Sequence, residues 1–240
     1  MKNMKTHYFT FFTTACLAMS HAHAAVIAEY DFNTDLNAST EDANVTAGAF
    51  TSGAGISGAG ESGRSGTTNS LFALASATST TTLSVGTAIS ADDYFSVTIG
   101  VDSGYYMNLD SFTLDFGYTR NGALFGDKDL KAYIFSSADG FVDAGDILGD
   151  LTNTATVSNN SVQYPGGSPN LTVDLSTFDY VWSGGEIEFR IYLSDTTNSN
   201  GYIHRIDNVT LNGTVAVVPE PSSTALLGLG GLAVLLRRKR

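Results

Sequence analysis

Tyr94-Phe95-Ser96-Val97-Thr98-Ile99-Gly100-Val101 is the stretch that decides the fold class. In an extended chain Phe95, Val97, Ile99 and Val101 share one face, while Ser96 and Thr98 share the other. Apolar and polar residues alternating with a period of two mark a half-buried antiparallel strand. The same period returns further along. Phe112, Leu114 and Phe116 alternate with Ser111, Thr113 and Asp115, and Ile187, Phe189, Ile191 and Leu193 alternate with Glu186, Glu188, Arg190 and Tyr192. Further strands are expected over 26–32, 71–75, 130–135, 171–175 and 203–217. No stretch between them combines helical periodicity with caps. About ten strands in roughly 190 residues predict an all-β, antiparallel two-sheet sandwich, jelly-roll-like in topology. A propeller or solenoid would need a fixed-period repeat, and none is present.

Residues 47–68 carry glycine at positions 48, 53, 55, 58, 60, 63 and 66, interleaved with Ser, Thr and Ala. Such a stretch buries little side chain and reads as a long loop or weak edge region. Only about 20 residues of the exported chain precede it, too few for a domain of their own. One β-sandwich domain is therefore expected over 25–214.

The chain of 240 residues holds 12 basic and 24 acidic residues, but Lys2, Lys5, Arg237, Arg238, Lys239 and Arg240 lie in the terminal segments. Between Ala25 and Val218 six basic residues stand against 23 acidic ones, a net charge of −17. Nucleic acids and anionic membrane surfaces both need a positive footprint, so neither is an expected partner of the domain. Cys16 is the one cysteine, and His204 the one histidine beyond residue 23. Thiol catalysis, disulfides and zinc clusters are thereby excluded from the domain.

Both ends read as addresses. Residues 1–24 form a signal peptide: Lys2 and Lys5 at the start, an apolar and threonine-rich run from Tyr8 to Met19, and Ala22-His23-Ala24 before a cut ahead of Ala25. Residues 215–240 lead from a short tether into Pro219-Glu220-Pro221, then Ser222, Ser223 and Thr224, then an apolar segment over 225–236, then Arg237-Arg238-Lys239-Arg240. The prolines hold an extended segment that an enzyme cleft can read. About 15 residues make a helix of only ~22 Å, against a hydrocarbon core of ~30 Å. The terminal cations would be held on the cytoplasmic side. The result is a marginal and temporary transmembrane tether.

This ordered arrangement resembles the PEP-CTERM sorting signal of Gram-negative bacteria, whose substrates are handled by exosortase, a membrane-embedded cysteine transpeptidase-like protease. The resemblance implies processing at Pro219, Glu220 and Pro221 and transient insertion in the inner membrane. It further implies removal of the tail and delivery to the cell surface, outer membrane or extracellular matrix, often with exopolysaccharide. The middle of the chain is similar to jelly-roll carbohydrate-binding modules. Ala28-Glu29-Tyr30-Asp31-Phe32 looks like their first strand, and residues 205–213 like their last. In those modules the end strands are neighbours, and acidic residues there hold a structural Ca²⁺; here these would be Glu29, Asp31, Asp35 and Asp207. The parity of Ile206 and Val209 differs, which predicts a bulge at Asp207-Asn208.

Several residue groups suggest chemistry. Asp139, Asp143, Asp146 and Asp150 put hard oxygen donors on a glycine-bent loop, the ligand type that Ca²⁺ takes, and Asp127 and Asp129 precede them. They lack the EF-hand ladder, and solvated turn aspartates are the plainer reading. Glu186 and Glu188 share a strand face, as the paired carboxylates of laminarinase-type glycoside hydrolases do. The third acidic residue of that pattern is missing, so a charged outer face offset by Arg190 is the simpler expectation. His204 lacks the context of a nucleophilic triad. Tyr105, Tyr106, Tyr118, Tyr164, Tyr180, Trp182, Tyr192 and Tyr202 fall at strand ends, turns or polar parity, where rings stack on sugars or close sandwich corners. Trp182-Ser183-Gly184-Gly185 reads as an exposed turn, making Trp182, with Tyr105 and Tyr106, the first candidate ligand contact.

The sequence thus predicts an exported, non-enzymatic β protein with a structural or adhesive role at the surface, and no catalytic residues. A carbohydrate-binding module is the alternative within the binding class, and a degenerate glycoside hydrolase the alternative among enzymes. An exosortase-type protease and extracellular polysaccharide are the expected partners, and Ca²⁺ the one cofactor with ligands to offer it.

Overall fold

The alternation of Tyr94–Val101 opens a strand far longer than its pattern suggests, β7 (Tyr94–Arg120), around which the rest of the domain is hydrogen-bonded. The computed structural model describes residues 25–61, 70–75, 83–120, 128–155, 162–178, 181–196 and 202–218. Ahead of β7 come β1 (Ala25–Tyr30), β2 (Thr40–Glu41), β3 (Val45–Ala47), β4 (Thr51–Ser52), β5 (Ile56–Glu61), β6 (Leu71–Ala75) and the single turn-and-a-half helix α1 (Val85–Ser90). After it come β8 (Lys128–Ser136), β9 (Gly149–Ala155), β10 (Leu171–Asp174), β11 (Val181–Asp195) and β12 (Tyr202–Val217). The described strands form one antiparallel sheet in the order β2-β1-β12-β7-β11-β8-β9, with β3, β4 and β10 also on β7 and β6 on β12. The first and last strands are neighbours, with Ala28 opposite Leu211 and Tyr30 opposite Val209.

β7 serves so many partners because it bends. Val101 faces Gly185 and Tyr106 faces Ser183, so five steps along β7 match two along β11. The excess is taken up around Gly104, whose φ of 87° suits a residue without Cβ. Before the bend β7 is flanked by β11, β3 and β4; after it, by β12, β10 and the first residues of β11. Val97 pairs with Phe189, and Phe112 lies 15 residues further along β7, about 50 Å if the strand were straight. Yet the rings of Phe112 and Phe189 are 5.1 Å apart. The strand therefore doubles back, and its two halves share one core.

That core is what the period-two pattern predicts. Phe95, Val97, Ile99 and Val101 are buried, as are Phe112, Leu114 and Phe116, and Ile187, Phe189, Ile191 and Leu193. Tyr30, Phe32 and Phe50 close one end, with Phe50 set edge-on to both other rings. The bulge expected at Asp207-Asn208 is present: the β7–β12 register slips between Asp207 and Thr210, with Asn208 at a φ of 48°.

Other expectations need correcting. A helix exists: Ser84 caps α1 by accepting from Thr87 N at 3.3 Å, and Ala88 is buried against Tyr133, Phe135 and Tyr192. Six residues are too few to display a helical period. Of the two readings of residues 47–68, loop or weak edge region, the described part over 47–61 fits the second, pairing in short strands with β7 and β6. Gly149–Ala155 forms a strand that no alternation announced. The signal peptide over 1–24 and the apolar segment over 225–236 lie outside the described residues. Among the described residues no helix is long and apolar enough to cross a membrane.

Candidate functional site

Directly opposite residues of an antiparallel pair present their side chains to the same face. Trp182 faces Met107, which is fully buried, and both Trp182 and Tyr105 pack partly buried against the core. Tyr106, opposite Ser183 and Ala216, belongs to the reverse face. The three aromatic candidates therefore do not form one platform: Trp182 and Tyr105 cap the end of the core, and Tyr106 stands apart. Nor is Trp182-Ser183-Gly184-Gly185 a turn. It belongs to the start of β11, where the register against β7 shifts between Ser183 and Gly185, and a Cβ added at Gly185 (φ 136°) would stand 3.4 Å from Trp182 Nε1. Tyr118, which continues the parity of Phe116, is buried, and so is Tyr192, at polar parity, because α1 covers it. Tyr180 lies outside the described residues.

The four aspartates of the glycine-bent loop are used locally. Asp143 Oδ1 accepts from Gly145 N at 2.6 Å, and Asp146 Oδ2 accepts from Val142 N and Asp143 N at 2.9 and 3.2 Å, a capping box around one 3₁₀ turn. Asp139 accepts from the Ser136 hydroxyl at 2.8 Å, and Asp150 pairs with Lys131 at 2.6 Å. Ca²⁺ needs six to eight oxygens converging on one point. Among the described residues no group of three or more His, Cys, Asp or Glu is placed to hold a metal ion.

Glu188 is clamped by Arg190, whose Nε and Nη2 donate to its two oxygens at 2.8 and 3.4 Å. The guanidinium also donates to the Tyr192 hydroxyl and lies between the rings of Tyr94 and Phe141, 4.3 and 4.0 Å from their centroids. Glu186 is exposed beyond this cluster. His204 is buried, stacked at 6.0 Å on Phe116 with Nε2 at 3.3 Å from the Ser194 carbonyl oxygen.

A polar centre on the back of β7 and β12 was not foreseen. Asp207 lies opposite Asp115, and both are buried. Burial pushes the Asp207 carboxyl up to about 6; the Asn208 amide and the Tyr164 hydroxyl pull it down, and the charges of Asp115 and Asp31 push it further up. Asp115 Oδ2 accepts from Ser168 Oγ at 2.6 Å and Asn208 Nδ2 at 2.8 Å. Two residues before Asp207, the fully buried Arg205 donates to Thr119 Oγ1 and Ser70 Oγ. A strap over 163–170 covers this centre, and Asn170 ties it down by accepting from Phe116 N at 2.8 Å and donating to Phe116 O at 2.7 Å. Of the acidic set suggested by the end strands, Asp31 acts through its charge on Asp207, while Asp35 accepts from Asn37 N in a local turn. Only the register, which sequence does not print, could have paired Asp115 with Asp207.

The last feature is where the sheet stops. β12 pairs with β7 as far as Val217 opposite Tyr105, and Val218 N still donates to Gly104 O at 2.8 Å. Pro219-Glu220-Pro221 follows at once, then the apolar run and the four terminal cations. Residues 217–240 match the PEP-CTERM protein-sorting motif. The PEP-CTERM match covers a tenth of the chain and includes Pro219, Glu220 and Pro221, which lie outside the described residues. The motif indicates an exported cell-surface protein of a Gram-negative bacterium, processed by exosortase. No curated protein matches the chain.

Proposed function

We propose that this chain is an exported, non-enzymatic protein of the outer surface or extracellular matrix, with a structural or adhesive role. The observation that carries the reading is the PEP-CTERM motif attached directly to the last strand of a β domain. A net charge of −17 on the domain suits solubility in a hydrated matrix. The doubled-back β7, with Phe112 against Phe189, supports a two-layer sandwich of jelly-roll type. The clamp of Arg190 on Glu188 favours a structural over a hydrolytic use of the Glu186–Glu188 pair. Deletion of the gene should leave secreted glycan chemically unchanged but weaken its retention on cells. Altered reducing-sugar release from β-glucans by the purified domain would overturn the non-enzymatic reading.

Carbohydrate binding is the second reading, favoured by one observation: Tyr106 is half-exposed on the face away from the core, beside Ser183 and Asn108. A ring next to hydroxyl and amide groups suits the apolar face of a sugar. In a pull-down on the producer's own polysaccharide, Tyr106→Ala should lose retention while Trp182→Ala loses stability instead. Equal retention by wild type and Tyr106→Ala would dismiss the site.

A further inference from the structure

Pro219 stands two residues after the end of the last strand, and this spacing has a consequence for processing. A protease cleft takes up an extended peptide on both sides of the bond it cuts. Here the residues ahead of Pro219 are already in a ladder, Val217 against Tyr105 and Val218 against Gly104. The six residues between Val218 and the apolar run at Ala225 reach at most about 20 Å, which keeps the acidic domain close to the bilayer while it is tethered.

The end of β12 is built differently from the rest of that strand. Over 209–213 it lies between two neighbours, β7 and β1, whose first residue, Ala25, is opposite Gly213. Beyond Gly213, among the described residues, only β7 holds it. The β7–β12 register also slips between Asn212 and Gly213, so the final segment is set off by an irregularity. Val217 and Val218 are exposed, leaving Val215 as the one apolar anchor of the segment, partly buried on the core. Local opening free energies scale with such burial and hydrogen bonding. Gly213 itself is closely packed: a Cβ there would collide with the Asn108 carbonyl oxygen and stand 2.7 Å from the Ile27 side chain.

From this we infer that residues 214–218 of β12 are a zip that peels from residues 104–108 of β7 to present the sorting motif, with Gly213 as its fixed end. Tyr105, Val215 and Val217 are the positioning residues that set how often it opens. Cleavage of a transiently opened segment follows the population of the open form when opening is fast. The inference rests on the proposed reading of the motif as the processing signal.

The test follows tail removal in the exporting cell by pulse-labelling. Six Gly and Ser residues inserted between Val218 and Pro219 should speed removal at least threefold, since the motif then no longer needs the zip to open. Tyr105→Cys with Val217→Cys should oxidise to a cross-strand disulfide in the exported chain, where no other cysteine remains after the leader, and slow removal at least threefold relative to either single variant. Removal at the wild-type rate or slower with the insertion, or at the single-variant rate with the disulfide, would overturn the zip. A Pro219→Ala, Pro221→Ala variant separates the two claims: loss of removal there upholds the motif reading, and persistence overturns that reading whatever the zip variants do.

Discussion

Asp207 stands opposite Asp115 in the β7–β12 ladder, and both carboxylates are buried beneath the strap that crosses Gly117. Two acids at one register position in a buried setting cannot both ionise without penalty. The Asp207 carboxyl lies at about 6, raised from 3.8, so the native state holds this proton more tightly than the unfolded chain does.

Its contribution to stability is therefore fully present below about 3.8 and lost as pH rises through about 6. The shift corresponds to roughly 3 kcal/mol at full loss. Asp207→Asn mimics the protonated acid. Urea unfolding should show it 1–3 kcal/mol more stable than wild type at pH 7.5 (an order-of-magnitude range from the same conversion), with the advantage gone by pH 4. An advantage that does not change with pH would contradict the assignment.

Asn170 acts as a piece of strand, meeting both the N–H and the carbonyl of Phe116 with one side chain. Asn170→Ala leaves a buried amide without its acceptor, at about 2–3 kcal/mol. Asn170→Asp keeps the acceptor and loses the donor, so it should fall between. Denaturant midpoints for the three proteins check the order; an Asn170→Ala variant as stable as wild type would contradict it.

Gly117 is needed for space. A Cβ there would collide with the Gln163 carbonyl and reach 2.6 Å from the Tyr164 ring, and a carbonyl in a strap anchored by Asn170 cannot step aside easily. Gly117→Ala should cost about 3 kcal/mol or more, as overpacked cores do. Amide exchange should accelerate first over 163–170. Unchanged exchange there would show that the strap does not press on β7.

Arg190 holds Glu188, the Tyr192 hydroxyl and two ring faces together. Arg190→Lys keeps the charge but loses the planar fork, so it should recover less than half of the 1–3 kcal/mol that Arg190→Ala removes, as expected for a stacked site. Recovery to wild-type stability by lysine would reduce the cluster to simple charge.

Asp143 and Asp146 cap the 3₁₀ turn through backbone amides. Asp146→Ala should lower stability by about 1 kcal/mol, the usual loss for a cap. That loss should be the same with and without millimolar Ca²⁺. A Ca²⁺-dependent rise in melting temperature that vanishes in the variant would make the loop a metal site.

What the sequence made legible was the pattern that burial writes directly. Phe95 to Val101 and Ile187 to Leu193 alternate because one side meets the core, and those faces are where the structure puts them. The end strands and the bulge at Asp207-Asn208 were readable for the same reason. Legibility failed where tertiary contact overrides the period. Tyr192 has outward parity but lies under α1, a helix too short to show itself. Gly149–Ala155 hides a strand because its core-facing Asn153 is polar, buried to donate to the Phe116 carbonyl at 2.8 Å. The Ser-Gly-Gly after Trp182 spells a turn, yet β7 supplies a partner and keeps it in the strand. The bend of β7 at Gly104 likewise reads locally as a break between two strands. The candidate site followed the same rule: the sorting motif is a linear signal and was visible, while the Asp115–Asp207 centre exists only once the register is known.

The central claim is that a folded β domain leaves the cell and sheds both of its addresses. Mass spectrometry of the protein recovered from the cell surface tests it most directly. The account predicts an amino terminus at Ala25 and a carboxyl end within the Pro219–Pro221 region, with no peptide from the apolar run or from Arg237 to Arg240. Surface material that still carries Arg237 to Arg240 would contradict it.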